Sequence, residues 1–529
     1  MTPHADEVQT RIEKVARMRA LGVNPYAASF DKKNSIDSLI SFDKSVFREI
    51  ETVIATPINN VKTAGRVTLY RSFGKISFAK IQDATGEIQI MFSRDNCSIR
   101  TPDGTRSMLG ENSQSGDISE FSAYKFMEKL VDMGDFIGIE GELFMTHKGE
   151  LTIFASTFTF LSKAIRPLPE KFHGVKDEET LYRQRYLDLI TNNETYNRFL
   201  LRSRFIKAMR DFYAEEGFIE LETPILGNAA SGAAAAPFIT HHNDYDLDVF
   251  LRISPETALK KATVGRFERV FEIARDFRNE GSDPSHLQEF TMVEHYAAYW
   301  NYEDNMRFIE KMINSLFDRI GLEKTVQIKD RNGGVQTVNF GVAWERIDYM
   351  QRIQEVTGVD IGKYAPGDEE IFRKILRDRE IIIEGMETMG LTTLIDYFYK
   401  KLVRPKIVGP AFLYNYPKYM QPLARVSDNN PNMVEQFQVL VNGWEISKAY
   451  SELVDPIDQR ARFEEQAKAA AAGDEEATSA DYDFVLAMEY AMPPQSGLGL
   501  GIDRFLTLIT GQENLRDVVL FPLVKPKSE

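Results

Sequence analysis

Two arginines each stand beside backbone that a ligand can approach closely: Arg278 in Phe277-Arg278-Asn279-Glu280-Gly281, and Arg504 at the end of Gly497-Leu498-Gly499-Leu500-Gly501-Ile502-Asp503-Arg504. A planar guanidinium stays charged and gives paired, directional hydrogen bonds to phosphate oxygens, which a lysine point charge cannot reproduce. Gly497, Gly499 and Gly501 remove side chains where a strand meets a helix or a ligand, so close approach carries no steric cost. The pair predicts one site in which two arginines share a polyphosphate. Neither the Walker spacing nor Gly-x-Gly-x-x-Gly occurs, which argues against the two commonest nucleotide cradles. Taken alone, the octet reads equally well as a tight strand-to-helix joint with a structural arginine. Arg278 and the residues after it tip the balance.

A second group supplies acids and phenols. Residues 289 to 299 read as a strand, paired as a hairpin with 269 to 275, and the two-residue side-chain period puts Phe290, Met292, Glu294 and Tyr296 on one face. An aromatic, a carboxylate and a phenol together suit the floor of a site better than a core. Lys448, Tyr450 and Glu452 alternate onto one strand face in the same way, whereas Glu445 is out of phase and requires a bulge to join them.

These segments resemble motifs 2 and 3 of the class II aminoacyl-tRNA synthetases: Phe-Arg-Asn-Glu followed by His286 and Glu289-Phe290-Thr291, then Gly-Leu-Gly-Leu-Gly-Ile-Asp-Arg near the end. Further matches narrow the resemblance to the lysyl-tRNA synthetase family. They are Arg166-Pro167-Leu168-Pro169, Lys171-Phe172-His173-Gly174, Tyr182-Arg183-Gln184-Arg185-Tyr186-Leu187-Asp188-Leu189, Pro237-Phe238-Ile239-Thr240-His241-His242-Asn243 and Arg516-Asp517-Val518-Val519-Leu520-Phe521-Pro522. They cover nearly the whole chain in order.

The resemblance implies an α+β protein. An N-terminal OB-fold β-barrel of the anticodon-binding type precedes a class II catalytic domain built on an antiparallel sheet flanked by helices. It implies a lysine-tRNA ligase that joins lysine to AMP with release of pyrophosphate and then charges tRNA(Lys). Positioning and electrostatics carry such a reaction, and no protein nucleophile is required. Arg278 then bridges the amino-acid carboxylate and the α-phosphate, while Arg504 and His286 bind the distal phosphates. Phe290 stacks on adenine with Arg504 on its other side, and Glu280 accepts from the adenine amine. Magnesium is the implied cofactor, with Glu445 as its ligand and Gln438 at the second metal position, where the family pattern leads one to expect Glu. For lysine, Glu452 and Tyr296 take the ε-ammonium, and Gly232, Glu256 and Glu294 serve the α-amino end or support it. Tyr450 completes the pocket. Lys448 stands where the family usually has Asn beside the substrate carboxylate, and Ala236 where Arg usually precedes Pro-Phe-Ile-Thr-His-His; Lys448 could meet that carboxylate or pair with Glu452.

The elements that must position these groups can be read from periodicity. Residues 5 to 21 form a helix, with Val8, Ile12, Val15, Ala16 and Leu21 near helical spacing and an end around Gly22 and Pro25. From about 61 to 162, five alternating runs (62 to 69, 75 to 82, 87 to 92, 136 to 146 and 150 to 160) predict a small barrel of the oligonucleotide-binding type. Single-stranded bases are read by stacking and by hydrogen bonds to their edges, and the resemblance assigns anticodon reading to Phe78, Gln89 and Glu150. Tyr70 stands where the family often has a basic residue. The Ser-, Asp- and Gly-rich run from Asn96 to about Ser122 reads as an inserted mobile loop.

The expected domain division is 1–60 for an N-terminal helical extension, 61–162 for the barrel, 163–190 for a connector and 191–529 for catalysis. A helix from about 192 to 216, followed by Phe218 to Pro224, resembles motif 1, which in this class builds a homodimer interface; a simple buried helix would bury the same face. Residues 467 to 480, rich in Ala, Asp and Glu, read as a flexible connection without chemistry.

At 529 residues, with 43% apolar and 27% charged, the composition is that of a multidomain globular protein. A single cysteine, Cys97, excludes a disulfide framework and fits a reducing compartment. With no signal-like h-region and no membrane-length apolar run, a cytoplasmic protein without a membrane partner is expected. The formal charge of −15 does not suggest a nucleic-acid partner. Acids and bases roughly balance up to about residue 170, so the acidic excess lies later and any tRNA surface is a local patch. His241 and His242 are adjacent and no His-Glu-x-x-His occurs, which disfavours a zinc hydrolase. Two rivals remain: an aspartyl- or asparaginyl-type enzyme of the same architecture, whose pocket should offer cations rather than carboxylates, and a synthetase-like RNA-binding protein with impaired activation.

Overall fold

The computed structural model describes residues 5–42, 59–112, 118–169, 177–229, 231–233, 235–329, 334–383, 385–420, 424–471 and 481–526. Two compact units divide the chain, Met1–Gly174 and Val175–Glu529.

In the first unit the five expected strands form at Asn59–Ser72, Ile76–Gln82, Glu87–Ser93, Phe136–Met145 and Leu151–Ser162. Each pairs antiparallel with its neighbour, and a parallel pairing of Gln89 with Thr152 closes the barrel. Alternation sends Val67, Ala79, Ile81, Ile88, Ile90, Ile137, Ile139 and Ile153 into one core. The N-terminal helix runs Ala5–Ala20. Its buried side is Arg11, Val15 and Met18, followed by Leu21, while Ile12 and Ala16 are exposed.

The run read as a mobile loop is a correction. It folds as strands Ser98–Thr101, Gly104–Arg106, Met108–Asn112 and Ile118–Ser122. Ser98–Thr101 pairs parallel with Leu151–Ser162, so its backbone hydrogen bonds are met by the barrel, and Cys97, Ile99, Leu109 and Phe121 join the core. The Ser/Asp/Gly composition hid these few well-spaced apolar anchors. Burial pushes the Cys97 thiol up to about 12.

The second unit is built on an eight-stranded sheet in the order Ile219–Glu220, Arg269–Phe277, Glu289–Ala298, Gln495–Gly501, Trp444–Ser451, Met433–Val441, Ala411–Pro417 and Glu345–Asp348. The inner six strands are antiparallel, and the two edge strands pair parallel to their neighbours. The helices Asn193–Glu215, Tyr302–Ile320 and Ile502–Ile509 cover one face with apolar side chains, among them Phe205, Phe212, Ile309, Ile313, Phe505 and Leu508. On that face His295 is buried between Tyr213 and Asn305, and burial lowers its imidazole to about 4. The opposite face carries the candidate site.

Of the residues expected as a connector, those from 178 onward lie in two helices, Glu178–Arg183 and Arg185–Thr191, and 170–176 lie outside the described residues. Arg185 is buried against Asp188 and the carbonyl of Arg516, and Tyr182 and Arg198 hold Asp517, so the Tyr-Arg-Gln-Arg run docks on Arg516-Asp517. The helix Pro456–Ala471 extends into the segment expected as a connection, whose residues 472–480 lie outside the described residues. So does Lys171-Phe172-His173-Gly174.

Candidate active site

The site face is assembled by register, because directly opposed residues in neighbouring strands point the same way. One row reads Glu272, Glu294, Gly499, Lys448 and Gln438, and the next Val270, Tyr296, Gly497, Tyr450 and Gln436. Asp276 sits opposite Phe290. The bulge expected near Glu445 is present: Val439 faces Ser447 while Leu440 faces Glu445, which skips Ile446. Glu445 thereby reaches Gln438.

Glycines let the middle strand lie flat beneath this face. A Cβ at Gly497 would fall 2.3 Å from Tyr296 Cε1 and 2.4 Å from Glu452 Oε1, and one at Gly499 would fall 2.9 Å from Met292 Cε. Gly232 has φ +92°, and a Cβ there would meet Glu256 Cβ at 2.9 Å. These close approaches bring Gly232, Glu256, Tyr296 and Glu452 together.

Four acids gather here. Glu256 accepts from Tyr450 at 2.9 Å and from Lys260 at 2.6 Å. Glu294 accepts from Ser254 at 2.7 Å and Tyr296 at 3.1 Å. Burial, aided by Asp276 and Glu256, pushes the Glu294 carboxyl up to about 8. Burial also lifts Glu452 to about 8 against the pull of Lys260, and Asp276 to about 7 against Arg252 and Arg278. Low dielectric disfavours each lone negative charge, so a cation entering among these groups is strongly favoured.

The two signature arginines meet in the same region. Arg278 donates to the Ile253 carbonyl at 3.3 Å and lies over the Phe290 ring, 5.1 Å from its centre. It is thus Arg278 that covers Phe290 here. Arg504 donates to the carbonyl of Glu445 at 3.1 Å; burial lowers its affinity for protons, Glu445 opposes that, and Arg278 adds to it. Its neighbour Asp503 ties the motifs to one another, accepting from Thr291 N at 2.7 Å and pairing with Arg202 of the helix Asn193–Glu215. That explains why an acid precedes Arg504.

The remaining expected residues are more open. His286 is half-exposed, 2.9 Å from Asp283, and Glu280 is exposed in the same loop. Ala236, where the family pattern leads one to expect Arg, accepts through its carbonyl from Asn279 N at 2.8 Å. Lys448 is half-buried; the loss of solvent lowers its pKa, while Glu445 and Glu256 oppose the drop. The cation beside Glu452 is Lys260 rather than Lys448.

As for a metal, no group of three or more His, Cys, Asp or Glu among the described residues is arranged to hold an ion. Gln438 turns its Nε2 to Glu445 and its Oε1 to Tyr416 OH. The donor set is therefore one carboxylate. It fits an ion that arrives with oxygen ligands of its own, as Mg2+ does on a polyphosphate.

Sequence reasoning missed Lys260, Asp276, Gln436 and Gln495. Lys260 stands four residues after Glu256 on a helix, a spacing that signals a pair. The buried amides of Gln436 and Gln495 are without hydrogen-bond partners among the described residues and share the site face with Tyr450 and Gly497.

On the outer face of the first unit's barrel, Phe78 packs edge-on against exposed Phe73 at 6.1 Å. Gln89 lies across from Lys80 and donates to Thr152, and Lys80 stands 3.7 Å from Glu150. The three residues expected to read an anticodon therefore share one open patch. Tyr70, opposite Ala79, turns inward to the core, and Arg71 is the residue opposite Phe78.

Comparison with known proteins agrees with both halves. A family model described as tRNA synthetases class II (D, K and N) matches residues 177–525, and one described as an OB-fold nucleic acid binding domain matches 61–161. The chain is 40% identical over 523 residues to a lysine-tRNA ligase of Carboxydothermus hydrogenoformans, with 98% of each chain covered. It is 39% identical over 521 residues to one of Lactococcus lactis, again with 98% of each covered. With one of Aquifex aeolicus it shares 41% identity over 469 residues, 89% of this chain and 74% of that protein. Among the described residues no helix is long and apolar enough to cross a membrane.

Proposed function

The chain belongs to the class II lysyl-tRNA synthetases, and on that premise we propose which of its residues hold each substrate. As a lysine-tRNA ligase it activates lysine with ATP and transfers it to tRNA. The observation that carries the assignment is the set of buried carboxylates, Glu256, Glu294 and Glu452, on the sheet face that also holds Arg278.

Lysine enters with its ammonium groups toward these acids: Glu452 and Tyr296 at the ε end, Gly232, Glu256 and Glu294 at the α end. Tyr450 holds Glu256 in place. Arg278 and Lys448 meet the carboxylate and keep it in reach of the α-phosphate, since holding two anions together requires cations on both. Phe290 offers its ring to adenine and Glu280 its carboxylate to the exocyclic amine. His286 and Arg504 bind the distal phosphates and spread charge as pyrophosphate leaves. Mg2+ held by Glu445 would neutralise phosphate charge, and Gln438 supports Glu445 through its amide. Phe78, Gln89 and Glu150 read the anticodon of tRNA(Lys).

Exposed Ile219, Ile225, Leu226, Ile239 and Leu247 follow the motif 1 helix and support a homodimer. A tRNA substrate and the single buried cysteine support a cytosolic place.

The test is pyrophosphate exchange with each amino acid in turn, followed by charging of tRNA. Exchange driven by lysine is expected. Exchange driven by aspartate or asparagine instead would overturn the pocket assignment, and no exchange would favour an RNA-binding protein without activation.

A further inference from the structure

Within the acid cluster lies a cation that the substrate assignment does not use. Lys260, on the helix Glu256–Val264, is buried, with its Nζ 2.6 Å from Glu256 Oε1 and in contact with Glu452 Oε2. The ring centres of Tyr296, Tyr450 and Phe484 lie 5.5, 5.6 and 5.8 Å from that nitrogen. One ammonium therefore links the acid assigned to the α-amino end with the acid assigned to the ε end.

Stability alone is a poor reason for such an arrangement. Taking two carboxylates and an ammonium out of water costs several kcal/mol per ion, and apolar residues of similar volume commonly do as well or better. The charge count suggests a different use. Three carboxylates, Glu256, Glu294 and Glu452, face one lysine, which leaves two negative charges when all are ionised. Lysine as substrate carries two ammonium groups. Burial favours the protonated form of Glu452 and Lys260 opposes it, so without Lys260 that acid would keep its proton to still higher pH, and a neutral acid binds ammonium weakly.

We propose that Lys260 is a positioning residue for amino-acid selection, holding the carboxylates of Glu256 and Glu452 oriented and spaced so that the pocket accepts a side chain ending in an ammonium group. This rests on the substrate assignment above. The groups facing Lys260 are Glu256 on its own helix, Tyr450 and Glu452 at the end of the strand Trp444–Ser451, and Tyr296 with Glu294 beyond it on Glu289–Ala298. Phe484 comes from the helix Tyr482–Met488, whose Asp481 is occupied by Ser231 and by Phe484 N, and whose Asp483 pairs with Lys261. Burial opposes the charge of Lys260, but Glu256 and Glu452 outweigh it and hold the ammonium above its usual range.

The test uses the full chain and compares wild type with Lys260→Met and Lys260→Arg in lysine-dependent pyrophosphate exchange from pH 6 to 9. Wild-type exchange comes first: if lysine does not drive it, the substrate assignment fails and takes this inference with it. If lysine does drive it, Lys260→Met should raise the KM for lysine at least about tenfold and leave that for ATP within about twofold, with the acid limb of kcat/KM for lysine displaced upward by about one pH unit. The same variant should lose discrimination against norleucine, which has no ammonium on its side chain. Lys260→Arg, which keeps the charge, should retain the wild-type acid limb. A Lys260→Met enzyme with unchanged lysine KM and acid limb overturns the proposal. Should that variant fail to fold, Lys260→Arg decides alone, because an acid limb shifted from wild type would show that charge at this position does not set it.

Discussion

Gln438 donates its Nε2 to Oε2 of Glu445 at 2.9 Å, and the hydroxyl of Tyr416 fills the other end of the same amide at 2.6 Å. Turning the amide over would set Gln438 oxygen against a carboxylate oxygen, so Glu445 fixes its orientation. The proposed Mg2+ site thus has one acid, and the amide beside it contributes a donor. A carboxylate in its place would add charge for a hard cation and, without metal, would repel Glu445. Gln438→Glu should lower the Mg2+ needed for half-maximal exchange by on the order of tenfold. An unchanged Mg2+ titration would count against Glu445 as the metal ligand.

The acids of the proposed lysine pocket give a pH dependence of definite sign. Glu294 and Glu452 titrate near 8 when folded against 4.5 as reference, so the folded protein holds protons that the unfolded chain has released. Their contribution to stability is complete below about pH 4.5 and is lost as pH rises through about 8. Lysine's ammonium groups favour the ionised carboxylates, so binding near pH 7 should release protons, and lysine should raise Tm more at pH 8.5 than at pH 6. Calorimetry in buffers of different ionisation enthalpy reads the protons directly. Heats that do not depend on the buffer would show that the acids are already ionised before lysine arrives.

Much of this face was legible in advance, for a physical reason. A strand's two-residue period leaves no choice about which of Phe290 to Tyr296 share a side, and Glu445 cannot join Lys448 and Tyr450 without an extra residue. Lys260 was hidden because a lysine in Thr-Ala-Leu-Lys-Lys reads as the solvated side of a helix; only the fold reveals that Glu452, almost two hundred residues later, waits beside it. Asp276 was masked by its place between Arg275 and Phe277, where a charged pair suggests a surface. The strands between residues 98 and 122 escaped because Ile99, Leu109 and Phe121 are sparse among Ser, Asp and Gly.

Gly497 shows how tightly the backbone of the third motif underlies the lysine pocket. Its missing side chain leaves room for Tyr296 and Glu452, and a Cβ at 2.3 and 2.4 Å from them cannot be accommodated without moving both. Overpacking of this kind costs about 1–3 kcal/mol. Gly497→Ala should therefore raise the lysine KM by about ten- to a hundredfold while ATP binding, which we assign to Arg278, Phe290 and Arg504 farther along the face, changes little. Exchange kinetics with each substrate varied separately would expose the difference. An equal loss for both substrates would mean that the whole sheet, rather than the pocket, had shifted.

The barrel patch makes a prediction independent of adenylate chemistry. Phe78 lies on the outer face with exposed Phe73 beside it, and Gln89, Lys80 and Glu150 surround it with hydrogen-bonding groups. An aromatic left partly exposed on a barrel's outer face gains less for folding than one in the core, whereas stacking on an unpaired base is worth about 1–3 kcal/mol. Phe78→Ala should leave lysine-dependent pyrophosphate exchange and Tm close to wild type and lower kcat/KM for tRNA charging by about ten- to a hundredfold. Gln89→Ala should act in the same direction through the lost contact to a base edge, by about tenfold. Because exchange needs no tRNA, the comparison separates recognition from activation: a Phe78→Ala enzyme that charges tRNA at the wild-type rate would place the anticodon contacts elsewhere on the barrel.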